Sequence, residues 1–248
     1  MSHAHERTAI LLGEEGLAYL RARHVMIVGI GGVGGAAAEA MARAGIGRIT
    51  LVDHDRVSIS NMNRQLVCLH STLGHPKVEA MGARLRDINP ELALLARQQF
   101  LNREHIDELL RAEPIDYVLD CIDSVSCKAE LVAGCQRLGI PVASSMGAGG
   151  RLDVTRARIA TLAETHHCGL AANLRRRLRK LGASLDYPVV FSDEPPIKPL
   201  PQQPIADAPD ALPRAVNGTI SYLPNLFGFM LAGHVLHRML QSAALIRR

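Results

Sequence analysis

Short apolar runs alternate with longer segments of helical periodicity over the first 150 residues of the chain. The apolar runs are rich in aliphatic and β-branched residues, which is typical of buried strands in a parallel sheet. They cover residues 24–29, 48–52, 92–96, 115–120 and 141–145. The helical segments cover residues 33–44, 76–88, 103–112 and 125–138. This alternation predicts an α/β fold, Rossmann-like and doubly wound, with a mainly parallel sheet.

The pattern changes after residue 150. Residues 158–162 and 189–191 predict two further strands, with a basic helix between them. The stretch 188–213 holds eight prolines in 26 residues, which predicts a mobile loop instead of regular structure. Residues 222–240 predict a closing helix, so the chain ends in a C-terminal extension of the sheet-forming core.

Length and composition fit one large domain. The chain has 248 residues, of which 48% are apolar and 21% are charged, as in ordinary globular proteins. We divide it into a core, 1–150, and a C-terminal lobe, 151–248, integral to the same domain.

The sequence also bears on where the protein is located. No apolar run reaches the roughly 18 residues that a spanning helix needs, and the N-terminus is too polar for a signal peptide. The five scattered cysteines do not suit a disulfide framework. We therefore expect a soluble, cytoplasmic protein.

Charge is unevenly distributed, although the net charge is only +4. Residues 87–130 hold ten acidic and four basic residues, whereas residues 151–182 hold eight basic and two acidic residues. The predicted basic helix carries Arg175, Arg176, Arg177, Arg179 and Lys180. Such a cluster indicates either an anionic partner or a solvated helix face.

A glycine-rich turn carries the clearest chemical signal. Gly29, Gly31, Gly32 and Gly34 join the first predicted strand to the first predicted helix, and Asp53 ends the next strand. Such glycines let phosphate approach a helix N-terminus, and the acidic residue is placed to accept hydrogen bonds from ribose hydroxyls. This context predicts a nucleotide site, for which NAD is the simplest candidate.

Further polar residues favour a nucleoside triphosphate over NAD. Asn61, Arg64 and Gln65 occur in an N-x-N-R-Q segment, Lys77 follows Gly-His-Pro, and Asp123 follows a predicted strand in D-C-I-D. Two cations can neutralise a polyphosphate, and a carboxylate at a strand end can hold Mg²⁺. The set suits a triphosphate that is cleaved between its α- and β-phosphates.

Together these motifs resemble the ThiF/MoeB type of the ubiquitin-activating-enzyme superfamily, over residues 21–148. Its members bind ATP and Mg²⁺, adenylate a carboxylate and release pyrophosphate. The resemblance implies Arg64, Lys77 and Asp123 as catalytic residues, with Asp123 as the Mg²⁺ ligand. The implied nucleotide contacts are Gly29, Gly31, Gly32, Gly34, Asp53, Asn61, Arg64, Gln65, Lys77 and Asp123. It also implies a homodimer, in which an N-terminal arginine, with Arg7 the nearest candidate, reaches the ATP of the partner subunit.

Two branches of the superfamily compete. One adenylates the C-terminal carboxylate of a ubiquitin-like sulfur carrier, and the other resembles the tRNA threonylcarbamoyladenosine dehydratases. Residues 120–125, 146–155, 174–180 and 190–192 resemble the dehydratases, and the paired C-x-x-C motifs frequent in sulfur-carrier activators are absent from the sequence. We therefore expect adenylation of the threonyl carboxylate, followed by cyclising dehydration in which the substrate's own carbamoyl nitrogen is the nucleophile.

This branch implies a tRNA carrying threonylcarbamoyladenosine as the partner, with the basic helix contacting its phosphates. A non-catalytic nucleotide-binding scaffold and an NAD dehydrogenase remain alternatives. A sulfur-transfer or cysteine-desulfurase partner is suggested only by some relatives. The alanine-rich helix and the closing helix could supply the dimer interface if their apolar faces point outward.

Several reactive residues are better interpreted as structural. Cys127 and Cys168 are candidate nucleophiles, but incidental or buried thiols are the better interpretation. His166, His167 and Cys168 are adjacent and have no distant partner ligand, which favours an ordinary loop over a metal site. Asp120 lies within a predicted strand and is expected to be structural, whereas Asp55 is ambiguous.

Overall fold

A seven-stranded sheet is formed by the residues that the computed structural model describes, which are 4–198, 200–203 and 214–246. Its strands are β1 (His24–Val28), β2 (Arg48–Asp53), β3 (Ala93–Gln98), β4 (Tyr117–Asp120), β5 (Val142–Ser145), β6 (Ala157–Thr161) and β7 (Pro188–Ser192). The helices are α1 (Glu6–Arg21), α2 (Gly32–Ala44), α3 (Lys77–Ile88), α4 (Arg103–Arg111), α5 (Val125–Arg137), α6 (Gly169–Lys180) and α7 (Leu223–Ser242).

The strand order is β3-β2-β1-β4-β5-β7-β6, and every neighbouring pair is parallel except β6 with β7. The chain builds β1 to β3 toward one edge and then returns to place β4 on the other side of β1. Strand order therefore reverses between β1 and β4. A reversal of this kind opens a crevice at the carboxyl ends of the strands, where open α/β sheets bind ligands.

Two apolar layers cover the sheet because alternate strand residues face opposite sides. Val25 and Ile27 of β1 pack with α2, α3 and α7, whereas Met26 and Val28 pack with α4, α5 and α6. All five residues of β1 are buried. The predicted doubly wound α/β fold is confirmed, and each strand or helix that was predicted with bounds lies within about two residues of an observed one.

Two parts of the sequence prediction need correction. The first helix, α1, was not predicted, because Gly13, which has non-helical backbone angles, and Gly16 interrupt its apolar positions. Pro76 was expected inside the first turn of α3, but it is the N-cap residue.

The proline-rich stretch is more regular than predicted. Pro188 opens β7, a position where the missing N–H is tolerated. Beyond it, β8 (Leu200–Gln203) pairs antiparallel with β9 (Arg214–Val216) as a separate two-stranded ladder, in which proline is compatible with an edge position. Residue 199 and residues 204–213, for which a mobile loop was predicted, lie outside the described residues.

Helix α7 closes the fold by packing directly on α2. A Cβ atom added at Gly228 would lie 2.2 Å from the carbonyl oxygen of Val33 and 2.8 Å from Cβ of Ala36. The apolar faces of these two helices therefore cover each other instead of pointing outward, so α2 does not offer the surface that we considered for a dimer. None of the described helices is long and apolar enough to cross a bilayer.

The contact between α2 and α7 predicts opposite effects for two glycines of the same helix. Gly228→Ala should lower the free energy of unfolding by about 1–3 kcal/mol, because the methyl group overlaps backbone atoms. Gly233→Ala meets no atom within 4 Å, so it should raise stability by roughly 0.5–1 kcal/mol. Urea unfolding followed by circular dichroism measures both, and equal effects would contradict the packing.

Candidate active site

The glycine loop, residues 29–34, has a conformation that only glycine supports at two positions. Gly29 has φ of +89°, and its amide donates to the carbonyl oxygen of Val52 at 2.8 Å. A Cβ atom at Gly34 would lie 1.8 Å from the carbonyl oxygen of Gly29. The loop is thus folded tightly on itself between β1 and α2, and it leads into the N-terminus of a helix, where backbone amides favour an anion.

Asp53 holds the glycine loop from the end of β2. Its carboxylate accepts hydrogen bonds from the amide of Ile30 at 2.5 Å and from the amide of Asp55 at 2.8 Å. Each carboxylate oxygen has a second lone pair, so these bonds leave acceptor capacity for ribose hydroxyls. Asp53 therefore joins the glycine loop to the segment after β2.

The segment 61–65 lies against the other side of the glycine loop. The side chain of Asn61 accepts from the amide of Ser58 at 3.1 Å. The guanidinium of Arg64 donates to Ser60 O at 2.9 Å and to the side chain of Asn63 at 2.8 Å. A Cβ atom added at Gly31 would lie 3.7 Å from Nε2 of Gln65, and one added at Gly32 would lie 3.0 Å from Arg64 O.

Gln65 is the residue of this segment that points to a missing ligand atom. Its side chain is buried, and Oε1 is buried without a hydrogen-bond partner among the described residues. An unpaired buried polar atom costs free energy. Beside the glycine loop, a bound nucleotide or its water could satisfy it.

Helix α7 supports the same segment, which the sequence did not reveal. Asn225 Nδ2 donates to Arg64 O at 3.1 Å and to Ser221 O at 2.7 Å. Just before the helix, Thr219 O accepts from Asn63 Nδ2 at 2.8 Å. The position of segment 61–65 therefore depends on residues more than 150 positions later in the chain.

Lys77 is buried at the start of α3 and forms an ion pair with Asp55. Its Nζ lies 2.6 Å from Asp55 Oδ2, and its amide donates to Asp55 O at 3.0 Å. Asp55, ambiguous in the sequence, is thus the resting partner of Lys77. Asp53, His54 and Asp55 have ligand atoms within 4.8 Å of one another, but both carboxylates already have partners, so we assign no metal to them.

Asp123 lies beyond the end of β4, at the same edge of the sheet. Its side chain is exposed and accepts no hydrogen bond from a described residue. It does not cap α5, since Ser124 is the N-cap residue. A free carboxylate beside a phosphate site is a suitable ligand for Mg²⁺. Cys121, two residues earlier, contacts the glycine loop, because a Cβ atom at Gly29 would lie 2.8 Å from Cys121 O.

A buried ion pair fixes this part of the edge. Lys128 and Asp120 have fully buried side chains, and Nζ lies 2.7 Å from Oδ2. Lys128 also donates to Ser145 O at 3.1 Å, and Ser144 Oγ donates to Asp120 Oδ2 at 2.6 Å. Asp120 is structural, as expected, whereas its partner Lys128 was missed.

The remaining lone pairs of Asp120 bind the segment that follows β4. Asp120 Oδ1 accepts from the amide of Ile122 at 3.2 Å. The hydroxyl of Tyr187 lies 3.2 Å from Ser144 Oγ, and burial raises the pKa of Tyr187. A lone aspartate inside an apolar strand was the available signal for such a network.

The chain is similar to known proteins along nearly its whole length. The ThiF family model matches residues 5–247. The chain belongs to the ThiF family. It is 39% identical to the tRNA threonylcarbamoyladenosine dehydratase of Bacillus subtilis over all of this chain and 98% of that protein. A crystal structure of the Escherichia coli tRNA N6-threonylcarbamoyladenosine dehydratase in complex with ATP matches with a TM-score of 0.84 and 37% identity, over 96% of this chain and 94% of that chain.

The competing branch of the ThiF family matches less of the chain. The molybdopterin-synthase adenylyltransferase of Escherichia coli is 39% identical over 56% of this chain and 56% of its own length. The dehydratases match the C-terminal lobe as well as the core. The resemblance to them stated for the sequence is confirmed.

In this ThiF-family chain the basic residues of α6 differ in exposure. Arg176, Arg177, Arg179 and Lys180 are exposed on α6. Arg175 is half-buried instead, and its guanidinium donates to Thr165 O at 2.8 Å and to the Thr165 hydroxyl. The four exposed residues are therefore free to meet an anionic partner, while Arg175 holds the helix to the preceding loop.

The candidate nucleophilic cysteines are buried or half-buried, and the two histidines before Cys168 are exposed. Cys168 is buried, and half-buried Cys127 donates to Leu101 O at 3.1 Å. Burial raises the pKa of Cys121, and it raises the pKa of Cys135 to about 12, so both stay protonated at neutral pH. Among described residues, His166, His167 and Cys168 do not gather their ligand atoms within metal-binding distance.

The buried ion pair predicts a large effect from one substitution. Lys128→Met leaves Asp120 buried without its partner, so the free energy of unfolding should fall by about 3–5 kcal/mol. Arg23 and Asp116 form a half-exposed pair at 2.9 Å, and Arg23→Met should cost at most about 1 kcal/mol. Urea unfolding measures the free energy of unfolding of both variants. If Lys128→Met lowers it no more than Arg23→Met does, the importance of the buried pair is refuted.

Proposed function

We propose that this protein is an ATP-dependent tRNA threonylcarbamoyladenosine dehydratase. The observation that carries the proposal is the set of contacts around the glycine loop. Asp53 accepts from the amide of Ile30, the backbone oxygen of Arg64 lies against Gly32, and Cys121, two residues before the free carboxylate of Asp123, lies against Gly29. The dehydratase branch is favoured because relatives with that name match the chain along its whole length.

ATP fits this edge as a substrate. The glycine loop and the N-terminus of α2 would receive the phosphates, Asp53 would accept from the ribose, and Gln65 Oε1 would find a partner. Arg64 keeps N–H groups that no described residue occupies. Lys77 would exchange Asp55 for a phosphate oxygen, and Asn61 would orient the segment that carries Arg64.

Mg²⁺ at Asp123 would supply charge neutralisation for the phosphates. The chain's own cations supply the rest, since Arg64 and Lys77 would stabilise the negative charge that grows on the departing pyrophosphate. The carboxylate oxygen of the acceptor would attack the α-phosphorus as the bond to the β-phosphate breaks. The substrate's carbamoyl nitrogen would then attack the activated carboxyl carbon and give up its proton to solvent, while AMP leaves with the carboxyl oxygen. The nucleoside loses one water overall, and the enzyme needs no covalent intermediate.

The acceptor would reach this site with α6 contacting the tRNA backbone. Arg176, Arg177, Arg179 and Lys180 lie seven to eleven residues beyond the start of α6, or roughly 10–17 Å along the helix. The start of α6 lies beside the loop after β5, since a Cβ atom added at Gly147 would lie 3.8 Å from Cβ of Leu170, so the four residues would meet phosphates that lie away from the reacting base. We further propose that residues 1–150 form the ATP-binding core, that 151–248 form the acceptor lobe, and that two copies assemble with Arg7 of one reaching toward the site of the other.

The deciding measurement is AMP and pyrophosphate release from ATP and Mg²⁺ with three additions compared in parallel. These are tRNA bearing threonylcarbamoyladenosine, the same tRNA unmodified, and a ubiquitin-like sulfur carrier. Release only with the modified tRNA, together with loss of one water from the nucleoside by mass spectrometry, is the expected result. Release only with the carrier would overturn the proposal in favour of the other branch, and nucleotide binding without turnover in any arm would favour a scaffold.

Two variants test the proposed roles of Asp123 and Arg64 in AMP release. Asp123→Ala and Arg64→Ala should each lower AMP release with modified tRNA by a factor on the order of 100 or more, because each removes charge stabilisation from the transition state. Ser126→Ala, at an exposed position near the start of α5, serves as the control and should retain full activity. Normal AMP release by either site variant would refute its role.

The four exposed residues of α6 predict salt-dependent tRNA binding. Reversing Arg176, Arg177 and Arg179 to Glu should weaken tRNA binding and reduce the slope of log K against log salt by about 2–3, since each lost phosphate contact removes up to about 0.9. Arg86→Glu on α3, on the opposite face of the sheet, is the control for each single reversal on α6, since it changes the net charge by the same amount away from that helix. Unchanged affinity and slope, measured by filter binding, would make this helix a solvated face.

A further inference from the structure

A loop that the proposed mechanism leaves unused follows β5 at the site's edge. We call residues 147–149 the acceptor loop. In the register of β4 and β5, Asp120 is opposite Ser144, so this loop leaves the sheet beside the segment that carries Asp123, about one strand spacing (roughly 4.8 Å) away. It also touches the nucleotide side, because a Cβ atom at Gly149 would lie 3.4 Å from Gly218 O, and Thr219 next to it binds Asn63.

A buried arginine organises the acceptor loop. Arg151 is 4% exposed, and its Nη1 donates to Gly147 O at 2.8 Å and Gly149 O at 3.2 Å. The rest of the guanidinium donates to His167 O at 2.6 Å and Glu194 O at 3.2 Å. Two carbonyls of the loop are thus turned toward Arg151, and they are tied to the start of α6 and to the end of β7.

The charge of Arg151 is not neutralised by its neighbours. All four acceptors are neutral backbone carbonyls, and none of the ion pairs among the described residues includes Arg151. The adjacent carboxylate, that of Glu194, accepts instead from the amides of Leu152 at 3.0 Å and Asp153 at 2.9 Å. A buried cation without a counter-ion is costly, and an anion bound nearby would offset that cost.

The acceptor loop also has unused hydrogen-bond donors. The amides of Gly147, Ala148 and Gly149 donate to no described residue, whereas the next amide, that of Gly150, donates to Gly218 O at 2.8 Å. Successive free amides with their carbonyls held on other partners are a common way to bind an anionic oxygen. Here they accompany an unneutralised buried cation.

We propose that the acceptor loop binds the threonyl carboxylate of the modified nucleoside, with Arg151 as its positioning residue. This inference rests on the proposed function. The loop would hold the carboxylate at the edge of the sheet next to Asp123, with one oxygen free to attack the α-phosphorus. It would also give a physical basis for choosing modified over unmodified tRNA, because only the modified nucleoside carries the carboxylate.

The test is the ratio of affinities for tRNA bearing threonylcarbamoyladenosine and for the same tRNA unmodified, since contacts to the tRNA phosphates cancel in that ratio. Arg151→Gln should lower the preference for modified tRNA on the order of 10-fold, with the Kd for ATP unchanged. Arg151→Lys keeps the charge and should restore part of the preference. Arg158→Gln removes the same charge from an exposed position on β6 and should leave the ratio as in the wild type.

Different outcomes overturn different claims. A wild-type preference that survives in both Arg151 variants would refute the acceptor loop alone. Weaker ATP binding with an unchanged ratio would assign the loop to a nucleotide phosphate, and joint loss of ATP binding and thermal stability would make Arg151 merely structural. Absence of any preference in the wild type would instead overturn the proposed function, before a variant is considered.

Discussion

The buried pair between Asp120 and Lys128 is the constraint on which the edge of the sheet depends. An aspartate at the end of a buried strand cannot remain charged without a partner, and its ion pair is stable only if its remaining hydrogen-bonding groups are also satisfied. Lys128 meets that requirement with three acceptors, which are Asp120 Oδ2, Asp120 O and Ser145 O. The pair therefore joins β4, α5 and the end of β5 in one arrangement.

This arrangement decides where the chemical groups lie. Asp120 also accepts from the amide of Ile122, which sets the direction of the chain toward Asp123. Cys121 lies between them and packs on the glycine loop at Gly29 and Gly34. The same few contacts therefore position both the glycine loop, which is proposed to receive phosphate, and the carboxylate of Asp123, which is proposed to hold Mg²⁺. Lys128, which would touch no substrate, matters because it stabilises this junction.

The sequence predicted the parts of the fold that depend on local pattern. Alternating apolar runs and helical periods located the seven strands of the sheet, most clearly β1, β4 and β5, whose residues are all buried and leave a clear apolar signal. The glycine loop and Asp53 were predictable for a similar reason, since their spacing follows from one strand–turn–helix unit. Helix α1 was missed because Gly13 and Gly16 interrupt its helical pattern. The ladder of β8 and β9 was missed because proline content is a poor guide to pairing at an edge.

The supporting residues of the candidate site were not predictable in the same way. Lys128, Arg151 and Asn225 act on groups brought close by the fold: Asn225 reaches Arg64 O from 161 positions away, and Arg151 reaches Glu194 O from 43 positions away. Arg151 lies in the segment 146–155 that resembles the dehydratases, but that resemblance gave this arginine no role. Its lack of an ion pair is visible only in three dimensions, where the neighbouring carboxylate of Glu194 accepts instead from the amides of Leu152 and Asp153.

The two cations buried near the carboxyl edge illustrate how burial can lead to different roles. Lys128 has a carboxylate partner and all of its donors filled, so its charge is balanced within the protein and its role is structural. Arg151 donates to four backbone carbonyls and forms no ion pair among the described residues, so its hydrogen-bond partners are neutral and its charge is not balanced. A charge left unbalanced beside free backbone amides favours whichever anion enters the cleft. That contrast is why we assign the recognition of an acidic acceptor to the loop of Arg151 and not to the network of Lys128.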